Sequence, residues 1–246
     1  MAHAFFPPSS AKTSMICSAA PMMNAKHGEY QIGLPGAIGT AIHNIVEVTL
    51  KDRLNGMTPE SYFLGREESI DGHTFEIDEE MIETANIYVD YVRNRTEELN
   101  GKLLIEQRFT IDHISDECWG TADAVIIGDH RMEVIDLKSG KFPIDVEHNP
   151  QLMIYGLGAL HRYTDMNKTI QLTIVQPRGW HKDGPIRSWD ITAHNLASWG
   201  EETLKPAIEA SLVESPKFVP GDHCKLCNAK TVCEKFSEYQ KEQEND

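Results

Sequence analysis

The chain has 246 residues, enough to bury a substantial core, and its 40% hydrophobic and 25% charged residues are ordinary for a globular protein. No apolar run reaches the roughly 18 residues of a transmembrane helix, and the N-terminus lacks the basic and apolar segments of a secretory signal, so a cytoplasmic location without membrane contact is expected. A net charge of −15 is not the basic balance of a protein that binds nucleic acid by neutralising phosphates alone, so either the charge serves solubility and nucleic acid is not a ligand, or carboxylates bind divalent metals that contact the phosphates.

The N-terminal part of the chain is predicted to be mostly helical. Residues up to about Leu34 follow no clear period and are predicted to be irregular. Apolar residues then recur at a helical period over 36–50, and residues 55–72 are predicted as a loop-rich insertion. Asp78 is expected to cap an amphipathic helix that runs to about Leu99.

Beyond residue 100 the pattern changes to β-strands. A helix over 149–163 is expected to begin with Asn149 as its cap and Pro150 in its first turn, and a last helix covers 193–213. Five β-like runs are predicted as strands: 102–110, 118–127, 131–138, 170–176 and 186–191. Strands on both sides of a helix, with further helices flanking them, predict an α/β fold with a mixed central sheet.

Two of these strands form a hairpin that carries the sharpest chemical signal. If residues 129–130 are its two-residue loop, opposed positions sum to 259, and Asp123 lies directly across from Asp136. A loop at 128–129 instead moves the register by two and makes the pair diagonal. Either register leaves both carboxylates on one face, roughly 5–8 Å apart, and Lys138 shares that face.

A pair of neighbouring carboxylates favours a bound cation between them. Hard oxygen ligands suit Mg²⁺ or Mn²⁺, and such a metal can activate water and stabilise charge on a phosphate. Lys138 could orient that water or neutralise the developing oxyanion. The alternative is that Asp136 and Lys138 form an exposed ion pair on an edge strand. Their apolar neighbours, Ile135 and Leu137 among them, disfavour it because they indicate an interior strand.

The order of four short motifs resembles that of a known nuclease superfamily. The motifs are Gly39-Thr40 followed by His43, Gly120-Thr121-Ala122-Asp123, Asp136-Leu137-Lys138, and Gln151 followed by Tyr155. This series resembles the PD-(D/E)xK nucleases, and more narrowly it is similar to the RecB-like exonucleases, including phage-borne members. The resemblance implies a restriction-endonuclease-like core in a single nuclease domain over 1–246. Its parts are a mostly helical region at 1–100, the catalytic sheet and helix at 101–192, and a C-terminal helix and clasp at 193–246.

The resemblance also implies roles for individual residues. His43, Asp123 and Asp136 would ligate the metal together with the backbone carbonyl of Leu137, and Lys138 would be the catalytic lysine. Gln151 and Tyr155 share one helix face and would contact substrate or support the ligands. Glu106 matches an acidic position of the family, where it could support the ligands, form an ion pair or contact the metal. A histidine ligand shifts the preference towards Mn²⁺.

The cysteines predict a second metal site. Cys224, Cys227 and Cys233 have a metal-binding spacing, and Cys17 can supply a fourth thiolate. This arrangement resembles the iron–sulfur clasp of some RecB-like nucleases and implies a [4Fe–4S] cluster. The alternatives are structural zinc, with His223 in place of Cys17, or a zinc knuckle that contacts protein or DNA. Cys118 lies inside a predicted strand and is expected to be a small buried side chain.

The predicted function is hydrolysis of DNA phosphodiester bonds by metal-activated water, with linear ends of single- or double-stranded DNA as the expected partner. Exonuclease is preferred over endonuclease on the resemblance alone, which also suggests a bacterial or phage-infected cell and a recombinase or single-strand-binding protein as partner. Trp119, Trp180 and Trp189 are candidates for stacking on bases. A basic strip is also a candidate for phosphate contact: Lys138, Lys141, Arg162, Arg178 and Lys182. The rival functions are a non-catalytic DNA-end-binding recombination module and a restriction-type endonuclease.

Overall fold

The computed structural model describes residues 4–27, 32–163 and 168–243. The outermost residues of the predicted domain, 1–3 and the acidic 244–246, lie outside the described residues. Within these ranges no helix combines the length and the apolar character that crossing a bilayer requires. The structure is a mixed α/β fold with helices on both faces of a central sheet.

The N-terminal region is largely helical, as expected. Its elements are α1 (Ala11–Ile16), α2 (Ala20–His27), α3 (Leu34–Leu50), α4 (Pro59–Phe63), β1 (Glu67–Ile70), β2 (His73–Glu76) and α5 (Glu79–Glu98). Asp78 caps α5 as predicted, because its carboxylate accepts a hydrogen bond of 2.9 Å from the backbone N of Met81. That cap sets where the long helix begins.

One expectation for this region was wrong and a second was incomplete. The chain before Leu34 is not irregular: it contains α1 and α2. The stretch 55–72 is not all loop, since it holds α4 and the first strand of a hairpin. The hairpin turn at Asp71 and Gly72 has positive φ at both residues, 51° and 80°, which is the backbone that an Asp-Gly turn favours. That dipeptide was the overlooked sequence signal.

The second half of the chain builds the central sheet. Its elements are β3 (Lys102–Ile111), β4 (Ser115–Ile127), β5 (Arg131–Leu137), α6 (Pro150–Arg162), β6 (Thr169–Val175), β7 (Ile186–Thr192), α7 (Ala193–Trp199), α8 (Lys205–Ser211) and α9 (Glu234–Gln243). The strand order is β3-β4-β5-β6-β7; β5 and β6 are parallel and the other neighbours antiparallel. The helix predicted over 193–213 is present as α7, a π-helical turn at Gly200–Leu204, and α8.

The hairpin of β4 and β5 has the first of the two predicted registers. Ala124 pairs with Ile135 and Ile127 with Met132, so paired positions sum to 259. The backbone N of Gly128 donates to the carbonyl of Arg131 at 2.9 Å and closes a two-residue loop at 129–130. The next position beyond Ala124 brings Asp123 level with Asp136.

The sheet separates two apolar layers. On one face α6, α7 and α8 pack against Val125, Val134 and their neighbours; on the other, α3 and α5 pack against Ala124 and Ile135. The two faces therefore receive alternate residues of β4 and β5, as period-2 patterning requires. Asn149 caps α6 with its side-chain oxygen, as predicted, and orients the helix that returns across the sheet towards β5.

Candidate functional site

His43 and Asp123 meet where α3 crosses the sheet. The Nδ1 atom of His43 lies 3.3 Å from Oδ1 of Asp123, and the other carboxylate oxygen of Asp123 accepts a hydrogen bond of 2.7 Å from the backbone N of Leu137. The helix and the two hairpin strands are therefore joined through one carboxylate. The histidine and the first aspartate of the predicted set lie together.

Glu106 lies with His43 and Asp123, and metal contact was only one of the three roles that the sequence suggested for it. Its backbone φ is 49°, an uncommon left-handed conformation for a strand residue with a side chain. It lies between Ile105, which pairs with Ala124, and Gln107, which pairs with Ala122, so it is level with Asp123. Ligand atoms of His43, Glu106 and Asp123 all lie within 4.8 Å of one another, a geometry compatible with a divalent metal.

The side-chain alternation of both strands reverses at this level. In β3, Ile105 packs against the α3 and α5 layer, but Phe109 packs against the α6 layer. In β4, Ala124 faces the first layer, whereas Ala122 faces the second. Strict alternation therefore does not hold at Asp123, and the site lies at the junction of the two layers instead of on one face. Such local irregularities occur next to functional sites.

Asp136, Lys138 and Gln151 form a second, linked group. Lys138 Nζ lies 2.9 Å from Oδ2 of Asp136 and donates to Oε1 of Gln151 at 2.8 Å. The amide nitrogen of Gln151 donates to Oδ1 of Asp136 at 3.1 Å, and it also lies 3.4 Å from the hydroxyl of Tyr155. The predicted lysine, aspartate and glutamine are thus in mutual contact, and the tyrosine one turn along α6 lies beside them.

The ionisation of His43 and Glu106 follows from their burial among charges. Burial lowers the pKa of His43, but Asp123, Asp136 and Glu106 outweigh it and raise that pKa to about 9. For Glu106, burial and then repulsion by Asp123 raise the pKa to about 7. Without a bound metal the cluster therefore holds protons that a cation would displace.

The pKa values of the two aspartates are shifted in opposite directions. Burial would raise the pKa of Asp123, but the charge and hydrogen bond of His43 and the backbone N of Leu137 lower it. Burial dominates at Asp136 and raises its pKa, against the attraction of Lys138. Burial would lower the pKa of Lys138, yet Asp136 outweighs it and raises that pKa, so the lysine stays charged. Pairs of carboxylates with divergent pKa values are typical of functional sites.

Two glycines of the motifs are explained by close packing. A Cβ on Gly39 would lie 2.6 Å from Oγ of Ser139, directly after Lys138. A Cβ on Gly120 would lie 2.9 Å from Cγ of Pro8 and 3.1 Å from Cε1 of Tyr155. A side chain at either position would have to displace its neighbour, the Ser139 hydroxyl at Gly39 and the Pro8 ring at Gly120, so glycine permits the close approach of α3, β4 and α6.

An open cleft of about 430 Å³ leads to the first group. Its lining includes His43, Glu106 and Asp123. Two further lining residues, Asn44 and Ser139, were not predicted as site residues from the sequence. The available signal was helical spacing: Thr40, Asn44 and Glu47, with His43 among them, recur at three- and four-residue intervals and line this cleft. The site roles of all these residues remain predictions.

Four cysteines from the two ends of the chain line one common cavity. Cys17, at the end of α1, and Cys224, Cys227 and Cys233, before α9, line one small apolar cavity of about 20 Å³. Burial raises the pKa of the Cys224 and Cys227 thiols, and the neighbouring cysteines raise it further. His223, the alternative fourth ligand, does not line the cavity, but its Nε2 atom lies 3.7 Å from the sulfur of Cys224 and 2.9 Å from the carbonyl oxygen of Val219. Cys118 is completely buried in β4, as predicted.

A second group of possible ligands is exposed on the surface. Asp112 and His113, between β3 and β4, and His161, in the last turn of α6, hold ligand atoms within 4.8 Å of one another. The two imidazole rings stack at a centroid distance of 4.1 Å and an angle of 13°. Because parallel rings do not direct their nitrogens at one point, this arrangement is less suited to a cation than the buried group.

Comparison with known proteins places the fold and the family. The crystal structure of a "Putative exonuclease" from Eubacterium rectale is similar over 92% of this chain and 87% of that chain, with a TM-score of 0.50 and 10% sequence identity, so the likeness concerns the fold. The crystal structure of SSO0001 aligns over 93% of this chain and 85% of that chain, at 16% identity and a TM-score of 0.39. The family model of DUF2800, a protein of unknown function, matches residues 3–246, and the chain therefore belongs to the DUF2800 family.

Proposed function

We propose that this protein is a divalent-metal-dependent DNA nuclease of the RecB-like PD-(D/E)xK type, in a single domain. The observation that carries the proposal is the convergence of two groups, His43 with Asp123, and Asp136 with Lys138, from a helix and two neighbouring strands. These residues are 80 or more positions apart between helix and hairpin. Chance surface pairing does not account for two neighbouring ion pairs of this composition whose aspartates are largely buried.

The donor set fits a hard divalent cation. His43 and Asp123 supply an imidazole nitrogen and carboxylate oxygens, and Asp136 and the carbonyl of Leu137 are the further ligands that the family resemblance implies. Glu106 is the addition that the geometry favours, since it lies within 4.8 Å of the first two. A cation held there would supply Lewis acidity at a phosphate and lower the pKa of a water molecule.

Lys138 is positioned to act on the phosphate. Its ammonium is fixed between Asp136 and Gln151 and stays charged, so it can neutralise negative charge that develops on a phosphate oxygen. Gln151 holds both Lys138 and Asp136 through one amide, and Tyr155 lies at hydrogen-bond range of that amide. Gln151 and Tyr155 therefore act as positioning residues unless substrate reaches them.

Exonuclease activity on DNA ends is the preferred form of the proposal, with a cytoplasmic setting. The family resemblance and the printed name of the Eubacterium rectale neighbour both support it, although that neighbour shares only 10% identity. A recombinase or single-strand-binding protein would be a fitting partner in recombination, repair or replication. A restriction-type endonuclease and a non-catalytic end-binding module are the rival functions.

The four-cysteine cavity fits a structural metal cofactor, and we favour a [4Fe–4S] cluster over zinc. All four sulfurs line one apolar cavity that joins the N-terminal helices to the C-terminal segment. Ligation by four thiolates suits a [4Fe–4S] cluster, which the family resemblance also implies.

The decisive experiment compares end-labelled linear DNA with closed circular DNA in the presence of Mn²⁺, Mg²⁺ or EDTA. We expect metal-dependent loss of linear DNA only; nicking of circles would indicate an endonuclease instead. Lys138→Ala should abolish cleavage while Mn²⁺ binding persists, and Lys102→Ala, at an exposed strand start, is the matched control. Tight binding of DNA ends without cleavage under any metal would establish the accessory function.

A further inference from the structure

Two aromatic side chains are highly exposed to solvent. Phe142 is 88% exposed and Trp180 is 82% exposed, the highest values for large hydrophobic side chains among the described residues. The other tryptophans considered from sequence are covered: Arg108 lies 3.7 Å above the ring of Trp119, and Trp189 packs against the core. Scattered exposed aliphatic side chains are normal on a protein surface, whereas two large aromatic rings in solvent require an explanation.

Both rings are carried by loops that begin beside the candidate catalytic lysine. β5 and β6 are parallel, and Leu137 pairs with Val175, so their carboxyl ends lie at the same edge of the sheet. The loop after β5 begins at Lys138, whose backbone N donates to the carbonyl of Val175 at 2.9 Å, and reaches Phe142 four residues later. The loop between β6 and β7 carries Trp180. The two loops therefore leave the site together.

A buried glutamine fixes these loops to each other. The side chain of Gln176 is fully buried; its amide nitrogen donates to the carbonyls of Gly140 and Phe142 at 2.8 and 2.7 Å. Its amide oxygen accepts from the backbone N of Ile144 at 3.2 Å and from Arg187 at 2.7 Å. The backbone that presents Phe142 is thus held in place while its ring is left in solvent, an arrangement that favours binding from outside.

Cations accompany the two rings. Lys141 precedes Phe142 and is exposed, and the exposed Lys182 follows Trp180 after His181, which contacts Asp145 at 3.2 Å. Lys182 is paired with Asp183 at 3.1 Å, and Arg178 of the same loop with Glu80 at 3.0 Å, so the local basic character is moderate. In a chain of net charge −15, aromatic rings next to lysines at the rim of a candidate phosphodiesterase site favour nucleic acid over an acidic protein surface.

We propose that Phe142 and Trp180 stack on the bases of unpaired nucleotides whose backbone enters the cleft beside Lys138 and Asp123. This inference rests on the proposed nuclease function and narrows its substrate class to a single-stranded DNA terminus. Stacking suits the role because every base has a π face, so a strand can pass without sequence recognition. An uncovered stacking platform would be of no use to an enzyme that accepts only blunt duplex ends.

The test measures binding of a fluorescein-labelled single-stranded oligonucleotide to the full chain in EDTA, where cleavage is absent. Phe142→Ala and Trp180→Ala should each weaken binding about ten-fold. Neither should weaken binding of a matched oligonucleotide whose bases have been removed. Intrinsic tryptophan fluorescence should be quenched by the intact oligonucleotide in the unmodified protein and in Phe142→Ala, but not in Trp180→Ala. Val213→Ala, a half-exposed apolar residue after α8, is the control.

Each outcome separates this inference from the nuclease proposal. If the protein degrades DNA but both aromatic variants bind the intact oligonucleotide normally, stacking is wrong and the nuclease function stands. If the variants lose affinity equally for the oligonucleotide without bases, the effect is not stacking and the inference fails. If the fluorescence is quenched as expected but no metal supports cleavage, the strand-binding site stands and the nuclease function fails. Failure to bind any single strand overturns the inference.

Discussion

Gly39 on α3 and Ser139 after β5 approach so closely that a Cβ on the glycine would lie 2.6 Å from the serine Oγ. Through this contact the helix that carries His43 is seated against the segment that carries Lys138. The Ser139 Cβ would be 3.8 Å away, an ordinary contact, so the hydroxyl alone creates the restriction. The contact between these two residues therefore joins the helix and the hairpin parts of the site at close range.

Gly39→Ala should push α3 away from the strands and weaken Mn²⁺ binding by about ten-fold or more, with a loss of about 1–3 kcal/mol in the free energy of unfolding. Adding Ser139→Ala removes the obstructing hydroxyl and should restore most of both quantities. Calorimetric Mn²⁺ titration and urea unfolding of the single and double variants measure the coupling. Gly140→Ala, where a Cβ meets nothing within 4 Å, is the control. Additive losses in the double variant would contradict this account.

Gln151 is expected to matter because it holds Lys138 and Asp136 simultaneously. Gln151→Met keeps the approximate volume but removes both hydrogen bonds, leaving buried polar atoms unpaired at a cost of about 1–3 kcal/mol. We expect kcat on DNA to fall about 10- to 100-fold with a smaller change in KM. Tyr155→Phe removes only the 3.4 Å contact and should reduce kcat much less. Equal losses in the two variants would mean that Gln151 does not position Lys138.

Much of the hairpin of β4 and β5, which carries the candidate site, was predictable from local chemistry. The sequence narrowed the hairpin to two registers, and the structure has the one with a two-residue loop at 129–130, which brings Asp123 level with Asp136. The caps at Asp78 and Asn149 were predictable for the same reason, since a side chain two or three residues from a backbone donor acts locally. Such signals need no knowledge of the tertiary fold.

The parts that escaped prediction depend on long-range packing. The left-handed backbone of Glu106 has no local signal, because glutamate ordinarily continues a strand, and it accompanies the reversal of alternation in both β3 and β4. Gln176 was likewise unremarkable in sequence, yet it fixes the loop of Phe142 from 34 residues away. The early helices α1 and α2 were missed because their apolar faces are short and are completed by contacts with the C-terminal part.

Metal binding should release protons. In the metal-free protein His43, with a pKa raised to about 9, is protonated at neutral pH, and Glu106, at about 7, is partly protonated. A ligating imidazole must be neutral, so binding of one Mn²⁺ near pH 7 should release about one proton from His43 and a fraction from Glu106. Affinity should therefore rise with pH up to about 9. Titration calorimetry in two buffers of different ionisation enthalpy measures the release; a heat that is independent of the buffer would contradict the prediction.

The four cysteines should hold one cofactor that joins the chain ends. Cys17→Ser and Cys227→Ser should each lower the metal content and the melting temperature, because the closure between the N-terminal helices and the segment before α9 is lost. Cys118→Ala, at a buried position outside the cavity, should leave the metal content unchanged. Iron and acid-labile sulfide with visible absorbance are expected from anaerobically purified protein. Colourless protein with stoichiometric zinc would identify zinc instead.

Glu106 is a candidate metal ligand that the geometry of the site adds to the predicted set. It lies with His43 and Asp123 inside 4.8 Å, whereas Asp136 is occupied by Lys138 and Gln151. Glu106→Gln removes the negative charge but keeps an oxygen, so Mn²⁺ affinity should fall about ten-fold or more if this carboxylate contacts the ion. The same variant should show less proton release on metal binding. The matched control is Glu117→Gln, at an exposed position of β4. Unchanged affinity with unchanged proton release would assign Glu106 to packing alone and leave Asp123 and Asp136 as the ligating carboxylates.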